Sequence, residues 1–142
     1  MFDFVVKEIN EALPNLKSSH SSEDYGRVTK GAANALLATV YLNASVYTST
    51  PKWSECVQAC DAITNSGMYR LLPTYKEVFQ LANEGPGNPE SIWVVGHRAQ
   101  GGVGFNRFMA TLHYNQLPQN PWNGFSVVAD FYNKFDTSDA RF

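Results

Sequence analysis

Cysteine and histidine are the side chains of this sequence that could bind a metal ion or act as nucleophiles. Cys56 and Cys60 lie four residues apart in a helical pattern, and no Cys-x-x-Cys or His-Glu-x-x-His motif accompanies them. His20, His97 and His113 are scattered along the chain. We therefore predict neither a metal site nor a cofactor. We interpret the cysteines as small, half-buried helix residues that form no disulfide.

Carboxylates near the C-terminus form a second candidate site, because two of them are sufficient for glycoside hydrolysis. Asp130, Asp136 and Asp139 lie in one short stretch, close to Arg141. This chemistry needs one carboxyl group whose pKa is raised by apolar surroundings, and nothing in the sequence indicates such surroundings. A capped helix end with a local Asp–Arg pair is the simpler interpretation. We predict no catalytic residue, and a hydrolase stays the less favoured hypothesis.

The segment 114–125 combines aromatic rings, amides and prolines. Aromatic rings pack on the C–H faces of sugars, and amides both donate to and accept from hydroxyl groups. Tyr114, Trp122, Asn123 and Phe125 are therefore candidate ligand-binding residues. A structural role is the alternative: Trp122 would cover the edge of a core, and the Asn-Gly pair that begins at Asn123 would form a turn.

Hydrophobic spacing predicts a mainly α protein with long irregular loops and little strand. The predicted helices cover residues 3–13, 29–47, 51–66, 74–83 and 127–135. One strand is predicted at 91–97, where β-branched and aromatic residues follow turn residues. Segments 17–27 and 99–125 have no sustained period and are predicted to be loops.

Capping residues predict where these helices begin and end. Asp3, Thr29 and Thr50 are the expected N-caps of the first three helices. Gly67 suits the C-terminal cap of the third helix, and a capping box is predicted to begin at Thr74.

The second and third helices are predicted to pack as an antiparallel hairpin, because only the short segment Thr48–Thr50 connects them. Their buried stripes are predicted at Ala33, Leu36, Leu37, Val40, Tyr41, Ala44 and Tyr47, and at Trp53, Val57, Cys60 and Ile63. An alanine-rich helix, a tight turn and a helix that begins with Trp are typical of the tetratricopeptide repeat, which has a ~34-residue period. We therefore predict tetratricopeptide-like helical hairpins.

Length and charge exclude several classes of protein. The 142 residues are sufficient for one domain, and the net charge of −2 argues against nucleic acid as a partner. No apolar run approaches the ~20 residues of a membrane-spanning helix. Residues 1–20 lack the basic start and apolar stretch of a signal peptide, so we expect a soluble chain that is cytosolic or has lost a leader.

Several short stretches, in their order along the chain, resemble the SusD/RagB family of nutrient-binding outer-membrane lipoproteins. They are Gly26-Arg27-x-Thr29-Lys30-Gly31-Ala32-Ala33, Ala35-Leu36-Leu37-Ala38-x-Val40-Tyr41-Leu42, Ala59-Cys60-Asp61-Ala62-Ile63, Ser66-Gly67-x-Tyr69-x-Leu71, Glu90-Ser91-Ile92-Trp93, Trp122-Asn123-Gly124 and Phe131-x-x-x-Phe135-Asp136-x-x-Asp139-x-Arg141. Their joint order is more specific than any one of them.

The resemblance implies a tetratricopeptide-type scaffold with ligand-facing loops and no enzymatic activity. Residues 1–142 would be a single partial domain of this family, with a helical part at 1–84. Residues 85–142 would be a loop-rich part with a short strand and a terminal helix. Trp122 and Asn123 are the motif positions that carry over to a ligand-binding site.

The resemblance also implies a location and a partner. Family members are lipoproteins at the outer-membrane surface, where they cover a SusC-like TonB-dependent transporter and deliver oligosaccharides or other nutrients to it. Neither Cys56 nor Cys60 would be the lipid attachment point, so the leader and the lipidation site would lie outside this chain. A tetratricopeptide-type adaptor, which holds another protein in a helical groove, is the alternative function and depends on the helix pair 29–66 alone.

Overall fold

The protein is mainly α-helical, as predicted. The computed structural model describes residues 1–83, 85–96, 107–118 and 120–139, and for Leu81, Arg107 and Phe108 it describes the backbone alone. The helices are α1 (Phe2–Ala12), α2 (Lys30–Leu42), α3 (Ala44–Thr48), α4 (Trp53–Thr64), α5 (Tyr75–Val78), α6 (Arg107–Thr111) and α7 (Ala129–Tyr132). No strand occurs within these four ranges of described residues.

Residue contacts divide the chain into two compact units, Met1–Gly96 and His97–Phe142. We treat each unit as a separate body. The division of one partial domain into parts at 1–84 and 85–142 stays a prediction. Among the described residues, none of the helices has both the length and the apolar character that crossing a membrane requires.

Helix α1 begins earlier than its predicted cap. Met1 occupies the N-cap position and Asp3 lies in the first turn, so the prediction of Asp3 as the N-cap is wrong. A carboxylate in the first turn still favours the helix through the positive end of its dipole. None of the residues of α1 is buried, and the Phe2 ring reaches the Tyr41 ring of α2 with 6.4 Å between centroids.

The helix predicted over 29–47 is interrupted at Asn43. Its N-cap is as predicted, because Thr29 Oγ1 accepts a hydrogen bond from the Ala32 N–H at 3.3 Å. At Asn43 the backbone N–H and the side-chain Nδ2 both donate to the Thr39 carbonyl, at 3.3 and 2.9 Å. An asparagine side chain that competes for a backbone carbonyl disfavours a continuous helix. The interruption separates α2 from α3.

Helices α2 and α4 pack as an antiparallel hairpin, as predicted, although α3 lengthens the connection. Near the connection, the Cys56 thiol donates to the Ala38 carbonyl at 3.4 Å. At the other end, the Tyr69 hydroxyl lies 3.5 Å from Thr29 Oγ1. The buried hydrophobic residues of this unit are Ala33, Leu37, Ala44 and Ala59. Small residues at the contact allow the two helices to approach closely. The tetratricopeptide-type repeat itself stays a prediction.

Helix α4 presents a different face to α2 from the predicted one. Trp53 and Val57 are 53% and 58% exposed, and Cys60 is exposed as well. Ala59 is buried and Cys56 is half-buried, so the predicted stripe is wrong at these three exposed positions. The close approach of α2 leaves room for an alanine and a cysteine but not for a tryptophan ring.

Other details of the hairpin also differ from the predictions. Two members of the stripe predicted over residues 29–47 are exposed, Leu36 on α2 and Tyr47 on α3, so the prediction is wrong at these positions. Lys52 occupies the N-cap position of α4, so the prediction of Thr50 as its cap is wrong. Gly67 has a φ of +68°, the left-handed backbone that its predicted role requires, and lies beyond the C-cap residue Asn65.

The capping box predicted at Thr74 is present. The Thr74 N–H donates to Glu77 Oε2 at 3.2 Å. Helix α5 nevertheless ends at Val78, and a 3₁₀ turn follows at Leu81–Asn83. The helix predicted over 74–83 is therefore present only as a short helix and a separate turn.

The predicted strand is wrong over residues 91–96, and His97 lies outside the described residues. Trp93 Nε1 donates to the Gly26 carbonyl at 2.9 Å. The segment therefore packs on the loop before α2. A β-branched segment needs a neighbouring strand to form a ladder, and the described part of the chain offers none.

In the second unit, α6 lies inside the segment that was predicted to be a loop, so that prediction is wrong over Arg107–Thr111. Helix α7 is shorter than the predicted 127–135. The Phe131 and Phe135 rings meet edge-on at its end, with 5.3 Å between centroids.

Candidate functional site

The segment that contains Trp122 is attached to α6 through its backbone. The Trp122 N–H donates to the Met109 carbonyl at 2.8 Å, and the Asn123 N–H donates to the Leu112 carbonyl at 2.9 Å. The last carbonyls of a helix lack partners within it, so they are available to such donors. The segment therefore satisfies the C-terminal end of α6 and takes a fixed position from it.

The next two residues continue this attachment. Gly124 and Phe125 both donate their backbone N–H groups to the Ala110 carbonyl, at 2.6 and 3.1 Å. A β-carbon at Gly124 would lie 3.4 Å from that carbonyl oxygen, in ordinary van der Waals contact with it. Ala110 and Pro121 are both buried.

Two asparagines of the segment adopt the left-handed backbone conformation. Asn120 has a φ of 55° and Asn123 a φ of 47°. Asparagine tolerates this conformation better than most other residues. Asn123 therefore has a conformational reason to be present at this position.

The aromatic side chains of the segment remain open to solvent. Trp122 is 47% exposed, Tyr114 58% and Phe125 59%. Tyr114 lies on the turn after α6, where its ring contacts the His113 ring at 5.6 Å between centroids. This turn is closed by Gln116, whose Oε1 accepts from the His113 N–H at 2.6 Å. The structure thus places all four predicted binding residues beside the end of α6, with exposed rings on an anchored backbone.

Among the C-terminal aspartates, Asp136 lacks the raised pKa that a general acid needs. Asp136 accepts hydrogen bonds from the Ser138 N–H and hydroxyl at 2.8 and 2.7 Å, and these bonds hold the pKa of Asp136 below its usual value. A general acid needs the opposite shift. Asp130 lies in the first turn of α7. Arg141, which the predicted Asp–Arg pair requires, lies outside the described residues.

The described cysteines and histidines do not come together in a common site. Cys56 and Cys60 are free thiols, and burial raises the pKa of the Cys56 thiol. The His20 ring contacts the Tyr25 ring, with 5.8 Å between centroids. Within the described part of the chain, no three metal-ligating side chains come together.

Sequence reasoning missed the element that supports the candidate site. Helix α6 has five residues, which is too few to show a 3.6-residue period. Its role depends on backbone carbonyls, which every residue carries. The asparagines Asn120 and Asn123 beside Pro118 and Pro121 are the local sequence signal of a tightly folded segment.

Comparison with known proteins gives a partial similarity to a starch-binding protein and no family match. No family model matches the chain. The chain is 27% identical over 84 residues to the starch-binding protein SusD of Bacteroides thetaiotaomicron. The match covers 59% of this chain and 15% of SusD. This chain is therefore similar, over part of its length, to a protein that binds starch.

Proposed function

We propose that this protein binds an uncharged oligosaccharide without acting on it chemically. The observation that carries this proposal is the exposed Trp122 ring on a backbone that is hydrogen-bonded to α6. A ring carried on a fixed backbone has less conformational entropy to lose when a sugar packs on it than a ring on a mobile loop. The similarity to the starch-binding SusD supports the same class of ligand.

The chemistry of segment 114–125 suits a sugar. Tyr114, Trp122 and Phe125 would provide apolar faces for the C–H groups, and the amide of Asn123 would bind hydroxyl groups. The segment contains no charged residue, so it offers no partner to an acidic or basic ligand. We therefore assign starch-type or other neutral glycans as the ligand class.

We further propose that the full-length protein is a surface lipoprotein of the outer membrane that delivers glycan to a SusC-like TonB-dependent transporter. The order of the SusD/RagB-like motifs and the similarity to SusD support this location. Purification of the full-length protein from detergent-solubilised outer membranes tests it. We expect a TonB-dependent transporter to co-purify, and its consistent absence under cross-linking conditions would contradict the proposal.

A glycan array tests the binding proposal. We expect the fluorescently labelled chain to bind α-1,4-glucans or other neutral oligosaccharides and to ignore uronic-acid polymers of the same length. Binding to acidic glycans alone, or to none of the array, would contradict it.

The adaptor function is not favoured. It depends on the α2–α4 hairpin, and the similarity is to a carbohydrate-binding protein instead. A hydrolase is also disfavoured, because the pKa of Asp136 is shifted away from the value that a general acid needs.

A further inference from the structure

A second feature of the molecule has the composition of a sugar-binding site, and it lies in the first unit. Here the loop before α2, the end of α5 and the loop after it enclose an open groove of about 340 Å³. The groove is lined by rings, amides and a hydroxyl: Tyr25, Phe79, Gln80, Asn83, Asn88 and Ser91. None of these residues belongs to segment 114–125.

Aromatic rings border the groove, and neighbouring rings hold them. Phe79 is 70% exposed, and its ring packs against Tyr75 with 5.0 Å between centroids. Tyr25 is half-buried and is held edge-on by the His20 ring. A supported and exposed ring is what a sugar C–H face requires.

The amide of Asn88 is fixed in orientation. Its Oδ1 accepts from the backbone N–H groups of Glu90 and Ser91, at 2.9 and 3.3 Å. Two backbone donors on one atom identify that atom as the oxygen, so the NH₂ group is the remaining donor. Among the described residues, this NH₂ group has no hydrogen-bond partner, and neither do the Gln80 amide and the Ser91 hydroxyl.

The described lining carries no charged side chain. The described lining therefore offers no ion pair that would compensate a charged ligand for the loss of its hydration. The volume of the groove lies near the lower limit of about 300 Å³ for ligand pockets, which suits the end of an oligosaccharide chain.

We propose that this groove is a second binding site, for one or two uncharged sugar units. Phe79 provides the stacking face, and the Asn88 and Gln80 amides together with the Ser91 hydroxyl bind the sugar hydroxyls. The site stands on its own chemistry and does not require that segment 114–125 bind sugar.

Side-chain amide NMR of the whole chain tests this proposal, with maltose, cellobiose and mannobiose as neutral probes. We expect at least one of them to shift the Asn88 and Gln80 NH₂ resonances saturably. Glucuronic acid, the charged control, is expected to leave them in place. Absence of saturable shifts with all three neutral probes, or equal shifts with glucuronic acid, would overturn the proposal.

Variants separate this groove from the first site. Phe79→Leu keeps apolar volume but removes the ring. We expect it to weaken the binding of the disaccharide to the groove by about fivefold or more. Tyr47→Ala, which removes an exposed ring outside the groove, should change affinity by less than about twofold. Trp122→Ala should leave the disaccharide-induced shifts of the Asn88 NH₂ resonances unchanged. This expectation holds whether or not segment 114–125 binds glycan. Unchanged affinity in Phe79→Leu, or loss of the shifts in Trp122→Ala, would contradict a separate site.

Discussion

The Tyr69 ring lies directly against the backbone of Gly31. A β-carbon at position 31 would overlap the tyrosine hydroxyl, so no other residue fits there without movement of the ring. The same hydroxyl lies 3.5 Å from Thr29 Oγ1, and Thr29 is 2% exposed. The chain after α4 therefore closes over the first turn of α2, and glycine is needed for close approach.

Gly31→Ala should destabilise the first unit. Added volume in a packed contact typically costs about 1–3 kcal/mol of unfolding free energy, and we expect that range here. Urea unfolding followed by circular dichroism measures it. Tyr69→Ala in the same background should recover part of the loss, because it removes the overlapping ring. A Gly31→Ala variant as stable as the wild type would show that Tyr69 does not pack there.

The Trp93–Gly26 hydrogen bond should stabilise the segment after α5. Trp93→Phe removes the indole N–H that donates to the Gly26 carbonyl and should cost about 0.5–1.5 kcal/mol. The matched control is Trp53→Phe on the exposed face of α4, which should cost less than about 0.5 kcal/mol. Thermal melts by circular dichroism compare the two variants. Equal losses would mean that the hydrogen bond contributes nothing.

Gly26 itself should resist substitution for a conformational reason. Its φ of +91° lies outside the range that residues with a β-carbon adopt readily. We expect Gly26→Ala to cost about 1 kcal/mol or more, whereas Gly87→Ala, where a β-carbon would meet open space, should be neutral. The urea midpoints of the two variants measure this difference, and similar midpoints would contradict it.

Stability should depend on pH through Asp24. Hydrogen bonds from the Lys17 ammonium and from Ser21 hold the pKa of Asp24 far below its usual value. Because the folded-state pKa is lowered, the stabilisation is fully present above the unfolded-state pKa of about 3.9 and is lost as the pH falls toward the folded-state value. Melting temperatures between pH 7 and pH 2 should therefore fall less steeply in Asp24→Asn than in the wild type.

A second Asp→Asn variant controls for effects of low pH that do not depend on Asp24. Asp61 is exposed on α4, and Asp61→Asn is the same chemical change at a site outside the Lys17–Asp24 pair. If Asp24→Asn and the wild type have the same slope, the Lys17–Asp24 pair does not contribute to folding.

The two cysteines should differ in reactivity. Cys60 is exposed, whereas Cys56 is half-buried, donates to the Ala38 carbonyl and has a pKa that burial raises. Iodoacetamide should therefore alkylate Cys60 about tenfold faster or more, since the thiolate is the reacting form. Peptide mass spectrometry at timed intervals measures both rates in one sample. Faster alkylation of Cys56 would contradict this packing and would indicate that the opposite face of α4 contacts α2.

The sequence predicted the N-termini of those helices whose N-cap residue forms its hydrogen bond with a residue close by in the chain. Thr29 and Thr74 each pair with a residue three positions away, so the capping pattern is visible in the sequence itself. The buried face of α4 depends on α2 instead. Trp53 is more hydrophobic than Ala59, yet the close helix contact buries the alanine.

The residue types of the candidate site could be predicted from the sequence, but the backbone hydrogen bonds that hold the segment in place could not. The rings and amides of segment 114–125 indicated a sugar-binding surface, but the Met109 and Ala110 carbonyls that hold it are backbone atoms without a sequence signature. The groove in the first unit was missed because Tyr25 and Asn88 are far apart in the sequence and meet only in the folded chain.

Isothermal titration calorimetry of Trp122→Ala with the best neutral oligosaccharide from the array tests the central claim most directly. Trp53→Ala, which removes a similarly exposed tryptophan from the other unit, is the control. We predict that Trp122→Ala weakens binding about tenfold or more and that Trp53→Ala stays within about twofold of the wild type. Equal affinities for Trp122→Ala and the wild type would contradict a sugar site at segment 114–125.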